Sequence, residues 1–205
     1  MSFPIAVLLS RGGTTLQHLV DKIAAGTLPA RIVQVVSSRA DAFGVERARR
    51  AGLPVEIVTR RDFASREAFS DRTIDDCRRA GAKLIVLGGY LQLLRIPEDY
   101  RQKVVNIHPS LLPAFGGKGM YGHHVHEAVL EYGAKVSGCT VHFVDDQYDH
   151  GPIIAQRAVD VKDDDTPDTL AARVFEAECD LYPAVIRGLI EGRIHFDGRK
   201  VRWAT

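Results

Sequence analysis

Short apolar runs alternate with helix-period segments through the first half of the chain, and this alternation restricts the fold more than any other feature. Residues 4–9 (PIAVLL), 31–37 (RIVQVVS), 54–58 (PVEIV) and 83–88 (KLIVLG) read as strands. Helices are expected from Thr14 to about Ala25, over 42–51 and over 65–80. In the first of them Leu16, Leu19, Val20 and Ile23 share one face. The order βαβαβαβ dictates parallel strands joined by right-handed crossovers. Near-continuous Val, Ile and Leu in the strands means burial on both faces, with helices covering a largely parallel sheet. The fold class is α/β.

The second half changes character. Residues 103–107 (KVVNI) read as a strand that ends in NIHPS. Segment 109–122 holds two prolines and four glycines, and a loop of that length inside a compact domain is usually functional. Residues 137–144 and 152–159 read as two strands around DDQYDHG, an antiparallel portion in the C-terminal half. The segment 166–182 reads as a helix with Pro167 in its first turn, and Pro183 is expected to kink or restart it. Asp197-Gly198 marks a small terminal hairpin. Without repeats or linkers, one domain over 1–205 is the simplest account.

Composition narrows the partners. With 27 basic against 26 acidic side chains the formal net charge is +1, so there is no electrostatic case for nucleic acid or a membrane surface. Cys77, Cys139 and Cys179 are odd in number, far apart and without metal spacing, which suits reduced thiols in a cytoplasmic protein. The opening MSFPIAVLL lacks a basic region and reads as a buried strand, not a leader.

Two constellations stand out. Ser10-Arg11-Gly12-Gly13-Thr14-Thr15 joins the first strand to the first helix. Glycines there permit positive φ, and a helix start offers unpaired N–H groups and partial positive charge to a phosphate. The same residues also serve a plain turn and helix cap, and the two readings weigh about equally. The turn's place at a strand's carboxyl end, where open α/β sheets bind ligands, favours phosphate. The second constellation is Asn106 and His108, which leave one face of a strand. An amide and an imidazole side by side can donate to one developing oxyanion, and the imidazole can carry a proton near neutrality. The acid that His108 needs is best supplied by Asp149, with Asp145 and Asp146 as rivals. His123, His124 and His126 lack metal-ligand company and read as a loop and helix start. His142 reads as structural or as supporting the site; His18 and His195 read as surface.

The run Asn106-Ile107-His108-Pro109-Ser110-Leu111-Leu112-Pro113 resembles the signature of folate-dependent formyltransferases. So do Gly138-Cys139-Thr140-Val141-His142-Phe143-Val144 and Asp149-x-Gly151-Pro152-Ile153-Ile154, and the likeness runs from residue 4 to about 192. It implies a Rossmann-like formyltransferase fold. It also implies transfer of the formyl group of 10-formyltetrahydrofolate, as co-substrate and without a metal, to the amine of glycinamide ribonucleotide in purine synthesis. Family members with a tRNA-type C-terminal domain or an N-terminal regulatory domain fit less well. The resemblance makes Asn106, His108 and Asp149 the catalytic trio. It places Arg11, Gly13, Thr14, Thr15, Glu178 and Arg173 on the ribonucleotide. It places Arg66, Leu91, Gln92, Leu93, Leu94 and Asn106 on the folate. Partners are then small molecules, and the chain is a monomer or homodimer. Hydrolysis of the formyl-folate, transfer to an amino-sugar nucleotide, and a catalytically silent binder are the alternatives. Three departures matter: Arg11 replaces a family glycine, Thr15 an asparagine, and Gln92 an arginine. The loop 114–122, with Met120 and Tyr121, is expected to cover the folate.

Overall fold

The computed structural model describes residues 2–204. The chain forms two compact units, Met1–Asn106 and Ile107–Thr205.

In the first unit, β1 (Phe3–Leu9), β2 (Ala30–Ser37), β3 (Val55–Ile57), β4 (Leu84–Leu87) and the start of β5 (Val104–His108) lie in the order β3-β2-β1-β4-β5. Every pairing among them is parallel. The helices α1 (Thr14–Ala24), α2 (Phe43–Arg50) and α3 (Arg66–Arg79) fall where the apolar period placed them. Pro4 to Leu9 and all of β4 are buried, as strands covered on both faces must be. Of the four residues expected on the inner face of α1, Leu16 and Leu19 are fully buried, while Val20 and Ile23 are half-buried. His18 is also half-buried rather than open surface. The strand order reverses between β1 and β4, which is the switch point where such sheets open a ligand crevice at their carboxyl ends.

In the second unit, α4 (His123–Tyr132) follows the long loop. β6 (Val136–Phe143) and β7 (Ile153–Asp160) pair antiparallel, as expected, with a register shift at Val141/His142. α5 (Pro167–Ile190) packs on both. Its start is a reciprocal cap: Thr166 accepts from the Thr169 N–H while the Thr169 hydroxyl accepts from the Thr166 N–H. The expected restart at Pro183 does not occur, and α5 runs through it. Tyr182, Val185 and Ile186 around the proline are fully buried, and that packing outweighs the lost backbone donor. β8 (Ile194–Asp197) and β9 (Lys200–Trp203) form the terminal hairpin. Cys77, Cys139 and Cys179 are free thiols, and burial pushes Cys77 and Cys139 up to about 12, which makes them inert. No helix among the described residues is long and apolar enough to cross a membrane.

Candidate active site

The crevice of the first unit is assembled by Ser10, the residue just past β1. Its hydroxyl pairs with the Ser38 hydroxyl at 2.6 Å and accepts the Leu91 N–H at 2.9 Å, while its N–H donates to the Gly89 carbonyl. One side chain thus ties together the ends of β1, β2 and β4. Nothing local in the sequence marks Ser10 for this, because its partners lie 28 and 81 residues away.

Gly13 caps α1 in the left-handed region, φ 69°, with no side-chain cap and no acid in the first turn. A Cβ on Gly13 would sit 2.6 Å from the Gly44 Cα, so the turn needs glycine for packing as well as for φ. The Arg11 carbonyl accepts from the Gly44 N–H, and Arg47 Nε donates to the Gly12 carbonyl. Thr14 is exposed, and the Thr15 methyl packs beside Gly88. The helix start therefore lacks a side-chain cap, and its first N–H groups carry the partial positive charge that attracts an anion.

The Leu91–Leu94 segment runs on from β4 beside this turn, with Leu94 buried and Leu91, Gln92 and Leu93 half-buried. Gln92 lines a cleft of about 540 Å³ together with Ser38, Arg39, Asp41, Thr59, Arg60 and Arg61. Arg66 opens α3, which Ser65 caps through the Ala68 N–H. Asn106 is half-buried on β5 opposite Leu87.

The second unit holds the titratable centre. His108 is 3% exposed. Its Nε2–H donates to the Phe115 carbonyl at 2.8 Å, and its Nδ1 lies 3.4 Å from Asp149 Oδ1. The same oxygen lies 3.7 Å from Nε2 of His142, whose Nδ1 meets its neighbour's carbonyl, Phe143 O, at 2.8 Å. The other Asp149 oxygen accepts the Gly117 N–H at 2.9 Å. Asp149 therefore sits between two imidazoles. Carbonyls and carboxylates only accept, so His108, between Phe115 and Asp149, is fully satisfied only when both its nitrogens carry hydrogen.

Burial opposes that charge and wins at His108, whose pKa is held below its ordinary value. Asp149 and the Phe115 carbonyl pull it back up, and His142 pushes it down. A carboxylate beside an imidazole favours the charged ring, as Asp149 does here, but desolvation outweighs it. Burial also raises Asp149, yet His142, His108 and the Gly117 N–H together leave its carboxyl below the usual range.

Asp145, one of the two rivals, is engaged elsewhere: it accepts from the Gln147 N–H and meets the His150 ring at 2.7 Å. The loop after His108 is fastened at its start. Thr140 donates to the Ser110 carbonyl and accepts the Leu112 N–H, and Gln156 donates to the Leu112 carbonyl. Further on, Tyr121 packs edge-on against His124 and Met120 N–H reaches back to the Gly117 carbonyl.

His123, His124 and His126 fall on α4, and His126 is buried with its Nδ1 unpartnered. Burial, with His123 and His108 nearby, holds its pKa down to about 4. Its sequence position three residues into a helix start gave no sign of this. Among the described residues no cluster could hold a metal ion.

Arg173 grips Asp165 with both guanidinium nitrogens and also donates to the Asp160 carbonyl. Glu178 lies on α5 within electrostatic reach of Cys139, and burial pushes its carboxyl up to about 8. Unfolded, it ionises near its ordinary 4.5, so between these values the native chain holds the extra proton. Stability should therefore fall as pH rises through that window. Calorimetric melting at several pH values should show a shallower fall for Glu178→Gln than for the wild type. Identical slopes would mean that the carboxyl is ionised as in water.

The strand order, the switch-point crevice and the histidine–carboxylate centre define a Rossmann-like α/β protein with an antiparallel C-terminal portion. The chain belongs to the formyl transferase family, whose pattern matches residues 4–186. It is 40% identical over 193 residues to the chloroplastic phosphoribosylglycinamide formyltransferase of Arabidopsis thaliana, covering 93% of this chain and 66% of that one. It is 37% identical to the phosphoribosylglycinamide formyltransferase of Haemophilus influenzae, covering 93% and 88%. The chain spans less than two thirds of the plant relatives' length and 20% of the Gallus gallus trifunctional purine biosynthetic protein. Among solved structures, glycinamide ribonucleotide transformylase 1 from Symbiobacterium toebii superimposes with a TM-score of 0.93 at 42% identity, covering 100% of this chain and 95% of that one.

Proposed function

We propose that the protein transfers the formyl group of 10-formyltetrahydrofolate to the amine of glycinamide ribonucleotide, a step of purine synthesis, within one catalytic domain. The observation that carries the reading is the buried His108–Asp149 pair in a family of formyl transferases. The substrate amine attacks the formyl carbon, a C–N bond forms, and the carbonyl oxygen becomes an oxyanion. Collapse expels the folate nitrogen as the leaving group, and one proton moves from the amine to that nitrogen. Asn106 and His108 donate to the oxyanion, the role in which preorganised donors contribute most. Asp149 holds Nδ1, so the Nε2–H that now reaches Phe115 is the donor to substrate. A negative oxygen beside the ring also restores the proton affinity that burial removes.

The turn Arg11, Gly13, Thr14 and Thr15 receives the ribonucleotide phosphate, supported by its uncapped helix start. Glu178, with Arg173 as neighbour, faces the amine-bearing end. Arg66, Leu91–Leu94 and Asn106 hold the folate, and the basic cleft at Gln92 suits the carboxylates of its glutamate tail. The acceptor and the folate are small molecules, and the reading places the protein in the cytoplasm as a monomer or homodimer.

The test is spectrophotometric: tetrahydrofolate product is followed with and without glycinamide ribonucleotide. Product that requires the ribonucleotide supports the proposal. Product without it means hydrolysis, and product only with an amino-sugar nucleotide means a different acceptor; either outcome overturns it. A second expectation concerns Asp149→Asn. Loss of the carboxylate lowers the pKa of His108 further, so the alkaline limb of kcat/KM against pH should move to lower pH. An unmoved limb would transfer the role to Asp145 or Asp146.

A further inference from the structure

We propose that the C-terminal hairpin β8–β9 is a brace for the loop that carries Asp149, with Arg199 as its positioning residue. This rests on the reading of Asp149 as the partner of His108 in formyl transfer. Asp149 has φ 51°, in the left-handed region that a non-glycine residue keeps only where its surroundings over-determine it. Local contacts supply part of that constraint. His150 is tied to Asp145 through its ring, and Gly151 is pressed on the Phe143 carbonyl, where a Cβ would sit 1.8 Å away. The remaining constraint comes from 49 residues further along the chain: Arg199 donates to the His150 carbonyl at 2.7 Å. That carbonyl belongs to the residue immediately after Asp149, so holding it limits rotation of the backbone that aims the carboxylate.

The hairpin is itself moored to the elements that frame the loop. Phe196 packs edge-on against Phe143 at the end of β6, with ring centroids 5.9 Å apart. Trp203 Nε1–H donates to the Ile154 carbonyl on β7. The Trp203 ring lies over Gly188 of α5, where a Cβ would meet it at 2.6 Å. The Asp197-Gly198 turn, with Gly198 at φ 60°, leaves Arg199 at the tip, exposed and aimed at the loop.

His108 faces Asp149 from the loop, His142 from β6 and His126 from α4. Of these, Asp149 alone carries a negative charge, so its placement sets how readily His108 takes a proton. Because Arg199 is exposed, Arg199→Ala leaves the core intact. The variant should lose roughly tenfold in kcat with KM for both substrates little changed, a modest case of the cost of a misplaced reacting group. Its alkaline pH limb should shift to lower pH, and Arg199→Lys, which keeps a donor, should restore part of both. Lys200→Ala, the exposed neighbour, should match the wild type.

Titration of the His108 ring by NMR, wild type against Arg199→Ala, reads the same placement without any substrate; a downward shift is expected. An Arg199→Ala protein with unchanged kcat and unchanged His108 titration overturns the brace. So does a loss of kcat that merely tracks a fall in Tm while the His108 titration stays put. A wild-type protein without formyl transfer would overturn the proposed function instead, and the NMR titration would still decide the brace.

Discussion

Replacing His108 with alanine is expected to lower formyl transfer by about two to three orders of magnitude in kcat, the usual cost of removing one oxyanion donor. The loss should appear in kcat more than in KM, because the interaction strengthens only as the oxygen becomes negative. The protein should still fold. The ring's partners are the Phe115 carbonyl and Asp149. Asp149 keeps the Gly117 N–H and His142 as partners, and a Phe115 carbonyl left without the ring costs about 1–3 kcal/mol. Circular dichroism and a thermal melt would establish folding, and the tetrahydrofolate assay would give the rate. Full turnover in a folded His108→Ala protein would remove the residue from the chemistry.

Gly151→Ala is expected to have the largest effect on stability. The added methyl would lie 1.8 Å from the Phe143 carbonyl oxygen and 2.8 Å from its carbon. Both are backbone atoms at the end of β6, where the Phe143 N–H donates to the Pro152 carbonyl. No side chain can swing away to admit the methyl, so the bend between β6 and β7 must open. A loss on the order of 4 kcal/mol falls in the range reserved for such backbone conflicts. Urea unfolding would measure it. Gly12→Ala is the matched control, since nothing lies within 4 Å of its Cβ, and its unfolding midpoint should stay close to that of the wild type. A Gly151→Ala midpoint equal to the control would show that the bend yields easily and is no rigid mount for Asp149.

How much of the site was legible can be judged from single residues. Asn106 and His108 could be paired from sequence because a strand's period of two is local. The glycine turn could be placed because a glycine pair lies between an apolar strand and a helix-period segment. Asp149 could be singled out from Asp145 and Asp146 only by preference, since three acids within five residues of one loop look alike. The structure separates them: Asp145 turns to His150 and the Gln147 N–H, while Asp149 turns to His108 and His142. His142 faces the carboxylate from β6, beside a register shift in which Ile154 of β7 is skipped, an irregularity with no local signature. The net proton affinity of His108 was likewise out of reach, because it depends on how deeply the ring is buried.

By itself the sequence determined what depends on near neighbours: the α/β class, the parallel first half, the antiparallel pair, the helix starts and the pairing of Asn106 with His108 along one strand. Its resemblance to the formyltransferases supplied the roles proposed for them. Tertiary structure alone decided what joins distant residues: Ser10 linking three strand ends, Asp149 between two imidazoles, the continuity of α5 through Pro183, and Arg199 reaching the His150 carbonyl. Propensity and period act over a few residues and are written in the chain. Contacts across 28, 49 or 81 residues exist only once the packing of the whole unit has paid their ordering entropy.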